Sequence, residues 1–166
     1  PQYLEIFGKL AQGAELTAEE QALLDAPAIP YNLDAWDGYG AEREAILQML
    51  ADKGPAAVIA GDTHNAWYGD LLTRDGTLAA VEFGGPGVSS PGLEDFLADV
   101  DPALVEAVFT GSIPTLDYAN TALRGYMEVR VTPEEIQTDY VLLDAVDSID
   151  YAADVVTQTV EADLFA

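Results

Sequence analysis

The spacing of apolar residues changes along the chain, and each change predicts a new element. Leu4, Phe7 and Leu10 recur at helical spacing and predict a first helix. The stretch Thr17–Glu20 has the form of a capping box, in which a threonine and a glutamate three positions later satisfy each other's backbone amides. It predicts the start of a second helix. We therefore expect residues 1–26 to form a helical lead-in.

A long loop, a helix and two buried strands are predicted next. Residues 27–41 are rich in proline, asparagine, aspartate and glycine, which favours an irregular loop. A helix is expected over residues 41–52. The short apolar runs 56–60 and 78–83 are typical of buried strands. Residues 65–72, between these runs, could begin a helix or continue extended, and the pattern leaves both possibilities open.

Glycine and proline interrupt the pattern after the second strand. Residues 84–92 contain too many of both for regular structure and are predicted to form a loop at the strand's end. Two short helices are expected over residues 93–99 and 103–109. Residues 113–120 are expected to be connecting chain.

The last third of the chain alternates between apolar and polar residues. Residues 126–131 and 136–142 show this alternation on either side of a turn, which predicts an antiparallel hairpin. The acidic tail over residues 144–166 is expected to hold a strand end and a short helix. Helices and buried strands in succession place the chain in the α/β class.

Composition and charge narrow the function classes. The 166 residues suffice for one domain with a core. Six lysines and arginines against thirty aspartates and glutamates give a net charge of −24, and such a surface repels nucleic acid and anionic membranes. The absence of cysteine excludes disulfides, thiolate metal sites and a cysteine nucleophile. No apolar run approaches the roughly 20 residues of a membrane-spanning helix.

The clearest candidate chemistry follows the first buried strand. Gly61 and Asp62 end the apolar run, and His64 is the only histidine in the chain. Asp62 and His64 are two residues apart, so on a continuing strand their side chains would point to the same side. Ligands collect beyond the carboxyl ends of strands in such sheets. The pair therefore resembles half of a metal site, although a hydrogen-bonded structural histidine fits the same pattern.

Other catalytic signatures are weak or missing. The sequence contains no Gly-x-Ser-x-Gly elbow, no phosphate-binding loop of the Walker type and no dinucleotide-binding glycine motif. A serine hydrolase would have to combine His64 with Ser89 or Ser90. That possibility stays open as an alternative to the metal site.

Short motifs surround the Asp-x-His pair, and they are specific as a set. They comprise Asn32–Tyr39 followed by Arg43, then Gly61–Trp67, Val81–Phe83, Val88–Gly92, Arg124–Tyr126 and Val131–Glu134. In order and spacing, this set resembles the C-terminal part of the PhoD-like alkaline phosphatases. The agreement covers residues 27–143.

The resemblance implies both a fold and an activity. The fold would be the C-terminal half of a metallophosphoesterase-type sandwich, with mixed β-sheets flanked by helices, and it would be incomplete on its own. The chain would be one portion of a single domain. Residues 27–143 would be its catalytic portion, after the lead-in and before an acidic C-terminal extension over residues 144–166. The activity would be metal-dependent hydrolysis of phosphate monoesters and diesters, with Fe(3+) and Ca(2+) as cofactors.

The resemblance also assigns roles to individual residues. Asp62 would be a calcium ligand and His64 an iron ligand, and both would be catalytic. The candidates for lining the substrate pocket are Asn65, Trp67, Trp36 and Arg124.

The remaining ligands of the family's cluster have no counterpart in this sequence. In the family, the N-terminal half carries an iron-binding cysteine, a bridging aspartate and an Asn-His-Asp stretch. We therefore expect a separate N-terminal fragment of the same enzyme as a partner, and a periplasmic or secreted location. The alternative is an acidic, calcium-binding, non-catalytic domain in which the Asp-x-His pair is structural.

Overall fold

A computed structural model describes residues 2–26 and 32–165. Its first two helices, α1 (Gln2–Ala11) and α2 (Ala18–Leu24), confirm the helical lead-in. The capping box is present as predicted. Thr17 Oγ1 accepts the Glu20 amide at 3.2 Å, and the Glu20 carboxylate accepts the Thr17 amide at 2.8 Å. An ion pair between Lys9 and Glu20 joins the two helices.

The predicted loop before the third helix is partly helical. Residues 27–31 of this loop lie outside the described residues. The remainder contains a 3-10 helix over Trp36–Tyr39, which leads directly into α3 (Gly40–Ala51). This turn is regular because the Gly38 amide donates to Ala35 O at 2.9 Å, a hydrogen bond that glycine and proline content alone does not predict.

Four strands form a mixed sheet, called sheet A. Two of them, β1 (Ala57–Ala60) and β3 (Leu78–Gly84), form at the two predicted apolar runs and pair in parallel. β3 is buried as predicted, but the prediction of a buried β1 was wrong, because β1 lies at the edge of the sheet and none of its four residues is buried. Between them in sequence, β2 (Ala66–Leu72) resolves the open choice in favour of a strand, antiparallel to β3. The fourth strand is β4 (Leu116–Asn120), which pairs with β2 and completes the order β1-β3-β2-β4.

The prediction of connecting chain over residues 113–120 was wrong, because β4 lies there. This strand is only five residues long and contains the exposed Asp117, so its sequence carries little strand signal. Pairing along the edge of β2 holds it in place. The two helices predicted before it are present as α4 (Leu93–Phe96) and α5 (Pro102–Ser112).

Three antiparallel strands form a second sheet, called sheet B. The predicted hairpin is confirmed as β5 (Arg124–Val131) and β6 (Glu135–Leu143). The tail departs from expectation, because it forms a full nine-residue strand, β7 (Ala153–Glu161), against β6. A 3-10 helix over Ala162–Phe165 follows. Most side chains of β7 are exposed, which explains why its sequence lacks a buried apolar face.

Apolar layers on both faces of sheet A hold the fold together. On one face, Val81 and Phe83 of β3 pack with Tyr140 and Leu142 of sheet B. On the other, Leu47 of α3 packs against small and apolar side chains of β2 and β3. The order of layers is therefore helix, sheet A and sheet B, which confirms an α/β class with mixed sheets flanked by helices. No helix within residues 2–26 and 32–165 is both long and apolar enough to cross a membrane.

A buried tyrosine joins the two sheets close to the Asp-x-His segment. Tyr140 is fully buried in sheet B, and its hydroxyl donates to Trp67 O in β2 at 2.6 Å. Burial raises the pKa of Tyr140, so its hydroxyl keeps the proton that it donates. The contact fixes the start of β2 against sheet B.

We predict that Tyr140→Phe lowers the free energy of unfolding by about 1–2 kcal/mol, because the carbonyl of Trp67 loses a buried hydrogen bond. Denaturant unfolding of the chain measures this change. The matched control is Tyr126→Phe at an exposed tyrosine of β5, where we expect a change within about 0.5 kcal/mol. Equal effects at the two positions would contradict the assigned role of Tyr140.

Candidate active site

Two loops meet at one end of sheet A. Because β1 and β3 are parallel and Ala60 lies opposite Gly84, both strands end at the same edge. The loop after β1 spans residues 61–65, and the loop after β3 spans residues 85–92. A hydrogen bond from the Gly85 amide to Ala60 O at 2.9 Å extends the pairing into the second loop. The geometry agrees with the predicted position of the candidate site at a strand end.

The first loop has an unusual backbone. Asp62 has φ 72° and His64 has φ 61°, both in the left-handed region. Residues other than glycine seldom adopt this region, although aspartate and histidine tolerate it better than most. The condition of a continuing strand is not met, since β1 ends at Ala60 and the chain bends through residues 61–65. Their side-chain directions are set by the loop and not by strand alternation.

A main-chain carbonyl orients the imidazole of His64. Its Nδ1 lies 2.8 Å from Pro91 O in the second loop. A carbonyl oxygen can only accept, so Nδ1 must carry the proton in this hydrogen bond. The neutral ring then has its lone pair on Nε2, which is the form that binds a metal ion or accepts a proton. The sequence could not identify this acceptor, because it is a backbone atom 27 residues away.

Asn65 is packed beneath the second loop. It is 2% exposed, and its Nδ2 has no hydrogen-bond partner among the described residues. A Cβ atom at position 92 would lie 2.3 Å from Asn65 Nδ2 and 2.8 Å from His64 O, so only glycine fits there. An unsatisfied buried amide is costly and often marks a place where another polar group belongs.

Arg124 reaches the same region through Glu94. Its Nη2 lies 2.5 Å from Glu94 Oε1, and its Nε is buried without a hydrogen-bond partner among the described residues. Both oxygens of Glu94 lie 3.0 Å from the amide nitrogen of Gly92. Glu94 was missed in the sequence because an acidic residue in the first turn of a helix is common and needs no further role. The only signal available was its place two residues after the Pro-Gly pair.

Trp67 anchors the first loop from the other side. Its Nε1 donates to Thr63 Oγ1 at 2.7 Å, and its ring meets Phe109 of α5 edge-on with centroids 5.2 Å apart. Thr63 lies between the two left-handed residues, so this contact helps to hold their strained backbone. Trp67 therefore supports the loop through its indole N–H and its packing.

Trp36 lies in a different part of the fold. It packs on the α3 face of sheet A, and the guanidinium carbon of Arg43 lies 5.8 Å from the centre of its ring. Arg43 also pairs with Asp37 at 3.4 Å. Among the described residues, no hydrogen bond or ring contact joins Trp36 to His64. The structure thus brings His64, Asn65 and Arg124 together around the second loop, and Trp36 is not joined to them.

The described side chains show how much of a metal site this chain could form. In the part of the chain that the structure describes, no group of three or more histidine, cysteine, aspartate or glutamate side chains could hold a metal ion. Asp62 and His64 can therefore supply at most part of a ligand set. The tautomer of His64 fits such a role, because the hydrogen bond at Nδ1 leaves Nε2 with a free lone pair.

Comparison with known proteins identifies the family. A family model described as "PhoD-like phosphatase" matches residues 6–140. The chain belongs to the PhoD-like phosphatase family. It is also 32% identical over 117 residues to a protein named Alkaline phosphatase D from Bacillus subtilis (strain 168). That alignment covers 66% of this chain and 19% of the relative, so the chain spans about a fifth of the relative's length.

A solved structure agrees in fold. The structure titled "Structure of PhoD" superimposes with a TM-score of 0.60 and 23% sequence identity. The match covers 80% of this chain and 26% of the other chain. The described fold is thus part of a larger fold, and the expected partial sandwich is confirmed. The roles of the individual site residues stay predictions.

We predict that Gly92→Ala disrupts the candidate site, because the added methyl group would collide with Asn65 Nδ2 and His64 O. We expect a loss of about 1–3 kcal/mol in unfolding free energy, the usual cost of overpacking. The NMR signals of the His64 ring should also move. The matched control is Gly61→Ala, where a Cβ would have no neighbour within 4 Å. If both variants behave like the parent chain, the assigned packing is incorrect.

We predict a pH-dependent gain in stability for Glu82→Gln. Burial raises the pKa of Glu82, Asp37 raises it further, and Arg43 opposes them. The folded chain therefore holds the proton more tightly than the unfolded chain, so ionised Glu82 destabilises the fold at neutral pH. Glu82→Gln should raise the unfolding free energy at pH 7. This gain should shrink as the pH falls through the raised pKa towards the ordinary value of 4.5.

Denaturant unfolding at several pH values measures this effect. The control is Glu134→Gln at an exposed carboxylate in the turn before β6, which should change little at any of these pH values. If the gain in stability from Glu82→Gln is the same at every pH, the raised pKa of Glu82 is not its cause.

Proposed function

We propose that this chain contributes the C-terminal half of an active site that hydrolyses phosphate monoesters or diesters. Family membership supports the reaction class. The observation that carries the proposal is the hydrogen bond between His64 Nδ1 and Pro91 O at 2.8 Å. It holds the only histidine of the chain with Nε2 unprotonated, at the strand end where ligands of such sheets collect.

Within this proposal, Asp62 and His64 are metal ligands. A carboxylate oxygen suits Ca²⁺, and an imidazole nitrogen suits iron. When bound, such ions neutralise charge on the phosphoryl group and lower the pKa of a coordinated water. The left-handed backbone at both residues favours a functional role, because strained conformations of this kind persist where the surrounding structure enforces them.

The chain's other residues would hold this pair and shape the pocket. Pro91 O orients the His64 ring, and Trp67 holds Thr63 between the two ligands. The unsatisfied amide of Asn65 is a donor that a substrate oxygen or water could use. Glu94 pairs with Nη2 of Arg124. Arg124 would therefore contact the substrate only through the N–H groups of its guanidinium that do not pair with Glu94. Trp36 remains a candidate for the pocket wall.

The rest of the ligand set would come from chain beyond these 166 residues. This chain spans 19% of the curated relative and 26% of the matched structure, and an N-terminal portion of the same enzyme is the proposed source. In support, β1 lies at the edge of sheet A and its Ile59 is 60% exposed. Among the described strands, none pairs with the outer edge of β1, and such an edge can pair with a further strand. A periplasmic or secreted location belongs to the same proposal.

Two other functions find less support. The family match does not favour a non-catalytic calcium-binding domain. A serine hydrolase would need Ser89 or Ser90 to bond to His64. Among the residues that the structure describes, neither hydroxyl does so, and the Nδ1 of His64 is engaged by Pro91 O.

We predict that His64→Ala, in the enzyme assembled with its N-terminal portion, lowers phosphatase activity by more than about 100-fold. Mutation of a residue that only hydrogen-bonds to a metal-bound histidine typically lowers metal affinity or activity about 10–100-fold. Loss of the ligand itself should lower the activity further. Initial rates with p-nitrophenyl phosphate and its bis ester, together with the metal content, measure the effect. Glu134→Gln is the control and should keep both activity and metal. Near-normal activity in His64→Ala would contradict the proposal.

A further inference from the structure

One peptide group lies between a carboxylate and the histidine. The carbonyl of Pro91 and the amide of Gly92 belong to the same peptide unit. On one side, Pro91 O accepts the hydrogen bond from His64 Nδ1 at 2.8 Å. On the other, the Gly92 amide donates to both oxygens of Glu94 at 3.0 Å. The peptide thus connects the Glu94 carboxylate to the His64 ring.

This arrangement has an electrostatic consequence. A carboxylate that accepts a peptide N–H polarises the peptide and makes its carbonyl oxygen a stronger acceptor, because hydrogen bonds in a chain reinforce one another. A stronger acceptor at Pro91 O favours the proton on His64 Nδ1. In many metal sites a carboxylate bonds directly to the histidine and fixes its tautomer, and here a peptide unit would transmit the same effect.

We call the path of hydrogen bonds from Glu94 through the Pro91–Gly92 peptide to His64 the relay. Neighbouring residues hold it in place. Arg124 pairs with Glu94 Oε1 and fixes the carboxylate against β5. Gly125 continues this link, because its amide donates to Gly87 O at 3.0 Å in the second loop. Any side chain at position 92 would strike Asn65, His64 or Glu94, so the peptide can approach only with glycine there.

We propose that Glu94 is a positioning residue that acts through the Pro91–Gly92 peptide to keep His64 in the Nδ1–H tautomer with Nε2 free. The inference rests on the proposed function for its importance in catalysis. The relay itself is a property of this chain and can be observed without any turnover. The contact of Glu94 with the Gly92 amide also holds the backbone at the start of the one-turn helix α4, so the test must separate this local support from the effect on His64.

The experiment uses the single histidine as its own probe. In the chain labelled with ¹⁵N-histidine, long-range ¹H–¹⁵N spectra of the neutral ring report which ring nitrogen carries the proton. The parent chain should show a protonated Nδ1 and an unprotonated Nε2. Glu94→Gln keeps the length of the side chain and one acceptor oxygen but removes the charge. It should lower the ratio of the Nδ1–H to the Nε2–H tautomer by roughly two- to threefold, because hydrogen bonds in a chain strengthen one another by about 10–30% per bond.

The matched control is Asp95→Asn, which removes one negative charge from the adjacent, exposed position of α4 and should leave the ratio unchanged. A parent chain in which the Nε2–H tautomer predominates would overturn the proposal. A folded Glu94→Gln variant with the parent ratio would also overturn it, because Glu94 would then only hold the backbone of the second loop.

A second measurement needs no variant and covers the case in which Glu94→Gln does not fold. In the parent chain the Gly92 amide proton should resonate far downfield, as expected for an N–H bonded to a carboxylate, whereas a shift typical of solvent-exposed amides would overturn the relay. Failure of the proposed function is distinguishable from these results. It would appear as an assembled enzyme without phosphatase activity whose His64 still shows the Nδ1–H tautomer.

Discussion

The candidate site depends first on the parallel pairing of β1 with β3. Because Ala60 lies opposite Gly84, both strands end at one edge and their loops leave the sheet side by side. An antiparallel pairing would place His64 and Pro91 at opposite ends of the strands. The hydrogen bond from Gly85 to Ala60 continues the register for one more residue and fixes the start of the second loop. The contact between histidine and carbonyl is therefore a consequence of sheet topology.

Close packing of backbone converts this proximity into a fixed geometry. The second loop can lie on the first because Gly87 and Gly92 have no side chains. A Cβ at Gly87 would lie 3.1 Å from His64 Cβ, and one at Gly92 would collide with Asn65 Nδ2. The left-handed backbone at Asp62 and His64 costs free energy, on the order of 1–2 kcal/mol per residue. Two hydrogen bonds offset that cost. His64 Nδ1 donates to Pro91 O in the second loop, and Trp67 Nε1 donates to Thr63 Oγ1 in the first.

Much of the fold could be predicted from the sequence, and the failures have physical causes. The strands β1 and β3 have apolar runs and the hairpin of β5 and β6 alternates between apolar and polar residues, so their sequences carry a strand signal. The strands β4 and β7 expose polar side chains, and their sequences show neither an apolar run nor a clear alternation. Strands were therefore predictable where the sequence itself is apolar or alternates, and β1 shows this although it is only partly buried.

The candidate site also has features that the sequence predicts and features that it does not. The sequence placed Asp62 and His64 at a strand end, since a glycine and polar residues after an apolar run indicate one. It could not predict the left-handed backbone of these two residues, the carbonyl that orients His64, or the hydrogen bond from the Gly92 amide to Glu94. Those features depend on contacts between loops that tertiary structure brings together. Trp36, which a motif relates to the site, packs on the α3 face of sheet A, and its role at the pocket stays a prediction.

The incompleteness of the ligand set gives a reason for this local order. No described group of three or more ligating side chains exists in the chain, so under the proposed function a metal must be shared with other chain segments. A shared site binds well only if each contributor holds its ligands ready, because ordering them on binding would cost affinity. The net charge of −24 attracts cations to the surface but cannot orient a ligand. Orientation has to come from short-range contacts, and those around His64 run through the Pro91–Gly92 peptide.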